Sequence, residues 1–162
     1  MRGSVTLRPA AEADRDFLYR VYASTREKEL RQTPWNDTEK QRFLSQQFTA
    51  QDLYYREHYR DASYDIVLLD GEPIGRLYVD RRDDEIRVVD ITLLPGSRGA
   101  GIGGAIMTDL LHEAADAGKP VRIHVEQTNP AMRLYRRLGF ERIGEAGIYD
   151  LLEWNGATTD PR

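Results

Sequence analysis

The sequence has no cysteine, which excludes disulfides, thiolate metal sites and a cysteine nucleophile together. No apolar run approaches the roughly 20 residues that a bilayer span requires. Met1 to Leu7 is short and polar, so neither a membrane segment nor a secretory leader is expected, and the cytoplasm is the expected location. Histidine is sparse: the three, His58, His112 and His124, stand apart without metal-ligand spacing, so no metal is expected. A basic excess is lacking too. The formal net charge is −4, which gives no general attraction to nucleic acid.

What is present suits one soluble domain. A chain of 162 residues, 40% of them hydrophobic, is long enough for a single good core. The expectation is one domain over 1–154 followed by a loose tail over 155–162. No repeat, low-complexity stretch or linker interrupts it. Val5 to Arg8 reads as an opening strand ended by Pro9, followed by a helix from about Ala11 whose apolar stripe is Phe17, Leu18, Val21 and Tyr22. A break at 32–36 precedes a second helix, capped at Asn36 or Asp37 and carrying Phe43, Leu44 and Phe48 as far as about Tyr59. Ile66 to Leu69 and Ile74 to Val79 flank Asp70-Gly71-Glu72-Pro73, which marks a hairpin. Another strand follows from Glu85 or Ile86 to Leu94. Ile102, Ile106, Leu110 and Ala114 recur every four residues as a core-facing helix closed by Gly118, and Val121, Ile123 and Val125 alternate as a buried strand face. A short helix and a terminal hairpin, Phe140 to Glu145 with Ile148 to Trp154, complete the order.

The most informative stretch is Arg98-Gly99-Ala100-Gly101-Ile102-Gly103-Gly104, set between a strand and a helix. Four glycines in the six positions after Arg98 let the backbone approach a ligand and turn its N–H groups inward. The helix that follows adds its own free N–H groups and its positive dipole end, which together suit phosphate. Arg98 can grip phosphate oxygens in bidentate fashion. A nucleoside triphosphatase loop would end in Gly-Lys-Ser/Thr, and no lysine occurs here. A dinucleotide fingerprint would want glycine at position 106, which is Ile106, and would normally stand in the first strand-helix unit.

A second segment, Asn129-Pro130-Ala131-Met132-Arg133-Leu134-Tyr135-Arg136-Arg137-Leu138-Gly139-Phe140, has the physics of a short capped helix. Asn129 is a good N-cap, Pro130 suits the first helical position, and Gly139 suits the stop. Leu134, Tyr135 and Leu138 share one side, and Arg133, Arg136 and Arg137 lie mostly off it, either as a solvated face or as a local basic patch.

These two segments, in this order with a helix and a strand between them, resemble the two signatures of the GNAT superfamily of acetyl-CoA-dependent N-acyltransferases. The resemblance covers nearly the whole chain. It implies an α/β (α+β) fold: a mixed, mostly antiparallel sheet of six to seven strands, flanked by about four helices, with splayed central strands. It further implies that acetyl-CoA is co-substrate, its pyrophosphate on the amides of Arg98, Gly99, Ala100, Gly101, Ile102, Gly103 and Gly104. Its pantetheine arm would lie on the backbone of Ile91 and Leu93, with Asn129 in contact. The acceptor would be a small-molecule or peptide amine, and homodimers are frequent in the superfamily.

Acyl transfer from a thioester to an amine needs a neutral amine, a stabilised oxyanion and a proton for the departing thiolate. Tyr135 is the candidate donor of that proton, since a phenol with a pKa near ~10 is protonated at neutral pH. Glu85 stands where several members of the superfamily keep a glutamate base. Asp90 is its rival, and water can also serve. Glu85 and Asp90 are separated by an odd number of positions, so a regular strand points them to opposite faces unless a bulge intervenes. Trp35, Tyr54 and Tyr55 are possible walls of an acceptor site. The expected activity is direct transfer of the acetyl group to a primary amine in a ternary complex. The alternative is a non-catalytic acyl-CoA sensing module, which would keep the glycine loop but need neither Tyr135 nor a base.

Overall fold

Asp70 and Gly71 both take positive φ, 51° and 85°, the left-handed pair that a two-residue reversal between right-twisted strands requires. The strands they join are β2 (Ser63–Leu69) and β3 (Glu72–Arg81). The same aspartate ties in the start of the chain: its Oδ1 accepts from the Ser4 N–H at 2.8 Å. Strand β1 (Val5–Pro9) then pairs antiparallel with β2 from Val5–Leu69 to Pro9–Asp65. This is a computed structural model, and it describes residues 3–156. Of the expected tail, 157–162 lie outside the described residues.

The chain divides into two compact units, residues 3–78 with 90–98, and 79–89 with 99–156. The first holds helix α1 (Arg15–Ser24), a short α2 (Glu27–Arg31) and the long α3 (Asp37–His58). A 3-10 turn, Glu12–Asp14, precedes α1, so the first helix starts later than about Ala11. Helix α2 was not expected. Ser24 and Thr25 turn their hydroxyls back to the Val21 and Tyr22 carbonyls at 2.7 and 2.6 Å, a side-chain competition that ends α1. At α3 the Asn36 side chain accepts from the Glu39 N–H and Glu39 returns the bond to the Asn36 N–H, 2.8 and 2.9 Å. That reciprocal cap starts α3 where the sequence places it. Leu18, Tyr22, Leu30, Leu44, Phe48 and Ile66 form the core of this unit.

The second unit contains strand residues 86–89 at the start of β4 (Ile86–Leu93), helix α4 (Ile102–Ala117), β5 (Val121–Glu126), α5 (Met132–Arg137), β6 (Glu141–Ala146) and β7 (Tyr149–Trp154). The expected stripe of α4 is buried from Ile102 to Ala114, joined by Met107 and Leu111. Gly118 ends the helix at φ 68°, the left-handed stop that favours glycine. Val121, Ile123 and Val125 are buried as expected. The strands make one mixed seven-stranded sheet in the order β1-β2-β3-β4-β5-β7-β6. β5 is parallel to β4 over three pairs only, Ile86–Val121 to Val88–Ile123, while its antiparallel pairing with β7 continues to Glu126. Among the described residues no helix is long and apolar enough to cross a membrane.

Candidate active and cofactor site

After β4 the chain makes a 3-10 turn, Pro95–Ser97, and enters the glycine loop. Gly99 and Gly101 take φ of 78° and 82°. A side chain at Gly99 would meet nothing within 4 Å, so glycine serves the backbone turn there rather than space. Gly101 is the N-cap of α4 and offers no side-chain cap. The first helical bond runs from the Ala105 N–H to the Gly101 carbonyl at 3.0 Å, which leaves the N–H groups of Ile102, Gly103 and Gly104 without acceptors inside the helix. No acidic residue occupies the first turn. This donor set fits a pyrophosphate, which needs several N–H groups and no competing carboxylate.

Arg98, at the end of the first unit, is turned into its own fold. Its Nε donates to the Leu93 carbonyl at 2.8 Å and its Nη2 to the Ser24 hydroxyl at 3.4 Å. Of the two backbone positions expected for the pantetheine arm, Ile91 and Leu93, the carbonyl of Leu93 therefore already has a donor. The end of β4 is also held closely by β3. A Cβ at Gly75 would overlap the Thr92 carbonyl oxygen and stand 2.8 Å from Leu93 Cδ2, so only glycine fits this position.

The second signature folds with one correction. Asn129 does not open α5 directly: its Oδ1 accepts from the Ala131 N–H at 2.8 Å, its carbonyl accepts from the Met132 N–H at 3.0 Å, and the helix proper begins at Met132. The asparagine side chain closes a tight turn ahead of the helix, which is the local competition that favours asparagine at such starts. Met132 and Tyr135 are the buried members of α5, whereas Leu134 and Leu138 are half-buried. The Tyr135 ring meets that of Phe140 edge-on, centroids 5.7 Å apart. Leu134 lies against the first turn of α4: a Cβ at Gly104 would stand 3.4 Å from Leu134 Cδ1.

Glu85 stands just before β4, in the second unit, and is buried. Three guanidiniums surround it, Arg122 at 2.7 Å, Arg82 at 2.8 Å and Arg87 at 3.3 Å. Arg82 is shared with Asp80 and Arg122 with Glu153. Burial alone raises the Glu85 pKa, but the Arg122 hydrogen bond and the charges of Arg87, Arg122 and Arg82 more than reverse this and hold it below the ordinary carboxylate value. A carboxylate so held is a weak proton acceptor. Beside this cluster, burial and then the Arg87 charge push the His124 pKa down.

Asp90 lies in the first unit, bound by one arginine and two hydroxyls. Arg76 donates to it through Nη2 at 2.9 Å and Nε at 3.3 Å, the Tyr55 hydroxyl donates at 2.9 Å and the Thr92 hydroxyl at 2.7 Å. Burial first and the Asp90 charge second push the Tyr55 phenol up, so it remains a donor. Arg76 is buried to 2% exposure; sequence reading did not single it out, and its one local signal is an arginine inside the apolar run from Ile74 to Val79. Of the three proposed aromatic walls, Tyr55 is thus engaged in this buried network. Trp35 packs on Phe43 with centroids 5.2 Å apart, and Tyr54 stacks on His58 at 4.0 Å. Trp35 and Tyr54 remain exposed. Among the described residues no three of His, Asp or Glu are grouped as metal ligands would be.

A profile of the Acetyltransferase (GNAT) family matches residues 18–140. The mycothiol acetyltransferase of Thermobifida fusca (strain YX) is 40% identical over 76 residues, 46% of this chain and 20% of that protein. The mycothiol acetyltransferase of Actinosynnema mirum is 33% identical over 103 residues, 58% of this chain and 34% of that protein. The chain thus spans at most about a third of the length of these curated relatives. In three dimensions it resembles the PaiA N-acetyltransferase of Thermoplasma acidophilum, solved in complex with coenzyme A, with a TM-score of 0.70 at 15% identity over 94% of this chain and 99% of that one. That last likeness is one of fold.

Proposed function

Because the chain belongs to the GNAT acetyltransferase family, whose profile matches residues 18–140, we propose that it is an acetyl-CoA-dependent N-acetyltransferase acting directly on a primary amine. The observation that carries this reading is the start of α4, with two left-handed glycines before it, three N–H groups free of helical acceptors and no acidic side chain in its first turn. Those amides are assigned to the pyrophosphate of the co-substrate. Ile91 and Leu93 are assigned to the pantetheine arm through backbone groups other than the Leu93 carbonyl, which Arg98 already engages. Asn129 is assigned a contact with the same arm, in addition to closing its turn.

Bound acetyl-CoA supplies an acyl group activated as a thioester. The chain contributes orientation and one proton. Tyr135 is assigned as donor of that proton to the leaving sulfur, its ring fixed by burial and by Phe140. No side chain is assigned as base, because Glu85 and Asp90 are both neutralised by arginines; the amine gives up its proton to water. Small-molecule and peptide amines form the acceptor class. The relatives' name makes mycothiol-related amines the first to try.

The test is thermal unfolding with acetyl-CoA, CoA, ATP and NAD in separate samples. A ligand at a hundredfold its Kd stabilises by ~2.7 kcal/mol, about 5 to 10 °C for a domain of this size. The expected result is a shift with acetyl-CoA and CoA alone. No shift with these two, or a larger one with ATP or NAD, would overturn the assignment.

A further inference from the structure

Among the described residues Arg76 is the one arginine buried outright, and the groups it meets lie with it in the first unit. Its Nη2 donates to Gln51 Oε1 of α3 at 2.9 Å as well as to Asp90, and its guanidinium stands over the Tyr78 ring, 5.2 Å from the centroid. Asp90 is saturated. Its Oδ1 accepts from Arg76 Nε and Thr92 Oγ1, and its Oδ2 from Arg76 Nη2 and the Tyr55 hydroxyl, which takes up the roughly four acceptor positions of a carboxylate. Proton abstraction from an amine does not account for a network closed in this way.

The places of Asp90 and Thr92 give it another use. They stand two apart on β4, so they share one face and enclose Ile91 between them. The Thr92 hydroxyl bonds the Asp90 carboxylate at 2.7 Å, a contact whose geometry restricts the backbone of Ile91. The same stretch is held from β3: the Leu94 N–H donates to the Ile74 carbonyl at 2.8 Å, and a Cβ at Gly75 would overlap the Thr92 carbonyl oxygen. The pairing of β4 with β5 ends at Val88. Beyond it the course of β4 from Asp90 to Leu93 is fixed by β3 and by this network.

We propose that Arg76 and Asp90 are positioning residues for the pantetheine arm of the co-substrate: acting through Thr92, they hold the backbone at Ile91 and Leu93 in the course that the arm requires. The inference rests on the assignment of those two residues to the arm and adds the side chains that make their backbone ready to bind. A buried ion pair gives little net stability over packed apolar side chains of similar volume; here it supplies one fixed arrangement of the strand. Neither residue is assigned contact with the reacting atoms.

Isothermal titration of the full chain with CoA and with adenosine 3′-phosphate 5′-diphosphate, which keeps the phosphates of CoA and lacks the pantetheine arm, tests this. Wild type is expected to bind CoA at least about tenfold more tightly than the fragment. R76M should weaken CoA by about tenfold or more, a cost that small misplacements of a binding group carry, and leave the fragment within about twofold. T92V removes one hydroxyl and should weaken CoA by about threefold to fivefold, the worth of one hydrogen bond, with the fragment again within about twofold. Retained fragment affinity is the check that a variant is folded, and T92V decides alone if R76M does not fold. A merely structural pair would lower Tm and leave the ratio of the two affinities unchanged. That result, or an equal loss for both ligands, overturns the positioning role and leaves the acetyl-CoA reading standing. Fragment binding as tight as CoA binding by wild type overturns the pantetheine assignment and this inference together, and binding of neither ligand overturns the acetyl-CoA reading as well.

Discussion

Replacing Tyr135 by phenylalanine is expected to lower kcat by about a hundredfold or more while leaving the Kd for acetyl-CoA within about threefold, the range in which a positioned general acid acts. The substitution removes one oxygen and keeps the ring. Since the ring is what packs on Phe140 and fills a site of 4% exposure, loss of rate can be separated from loss of fold. Single-turnover kinetics with saturating acetyl-CoA read the chemical step directly. A variant that turns over at the wild-type rate would remove Tyr135 from the mechanism and reduce it to a packing residue.

Replacing Glu85 by glutamine is expected to lower stability near neutral pH by about 2 to 3 kcal/mol, since breaking a buried ion pair costs more and the partial exposure of Arg82 and Arg122 discounts it. For a domain of this length that is a fall in Tm of about 5 to 10 °C. The effect has a sign in pH. The folded state holds the Glu85 pKa below its ordinary value, so the unfolded chain takes up the proton first. The advantage of wild type over E85Q is therefore present above the ordinary carboxylate range and disappears as the pH falls below it. Denaturant titrations at several pH values between 7 and 3 follow the difference closing. The same variant separates two roles for this residue: kcat within about threefold of wild type fits an ion-pair hub, whereas a large loss of kcat at unchanged stability would make Glu85 the base after all.

The parts of the fold legible in the sequence are those that local chemistry decides. Asp70-Gly71 could be read as a reversal because few residues other than asparagine, aspartate and glycine accept its φ. Asn36 and Glu39 could be read as a cap because both partners lie within one turn. The α4 stripe was visible because it repeats. What escaped depends on partners distant in sequence or on a close local contest. Arg122 lies 37 positions from Glu85, and no spacing rule links them, so the enclosure of this candidate base by arginines was not legible. Asp90 owes its surroundings to Arg76 and Tyr55, 14 and 35 positions away. The helix break at Ser24 and Thr25 turns on two hydroxyls choosing carbonyls behind them, and a similar choice by Asn129 moved the start of α5 to Met132. The glycine loop itself lies where the sequence put it, between β4 and α4, and its glycines at 99 and 101 take the left-handed backbone that their residue type permits.

Amine acetylation is tested most directly by release of the CoA thiol from acetyl-CoA, followed with a thiol reagent while primary amines are supplied one class at a time, mycothiol-related amines, amino acids, polyamines and peptide N-termini among them. Release is expected to require both the enzyme and a particular amine, with the acetylated amine as the matching product by mass spectrometry. Tight binding of acetyl-CoA with no amine-dependent release in any class would contradict it and identify the chain as an acyl-CoA sensing module.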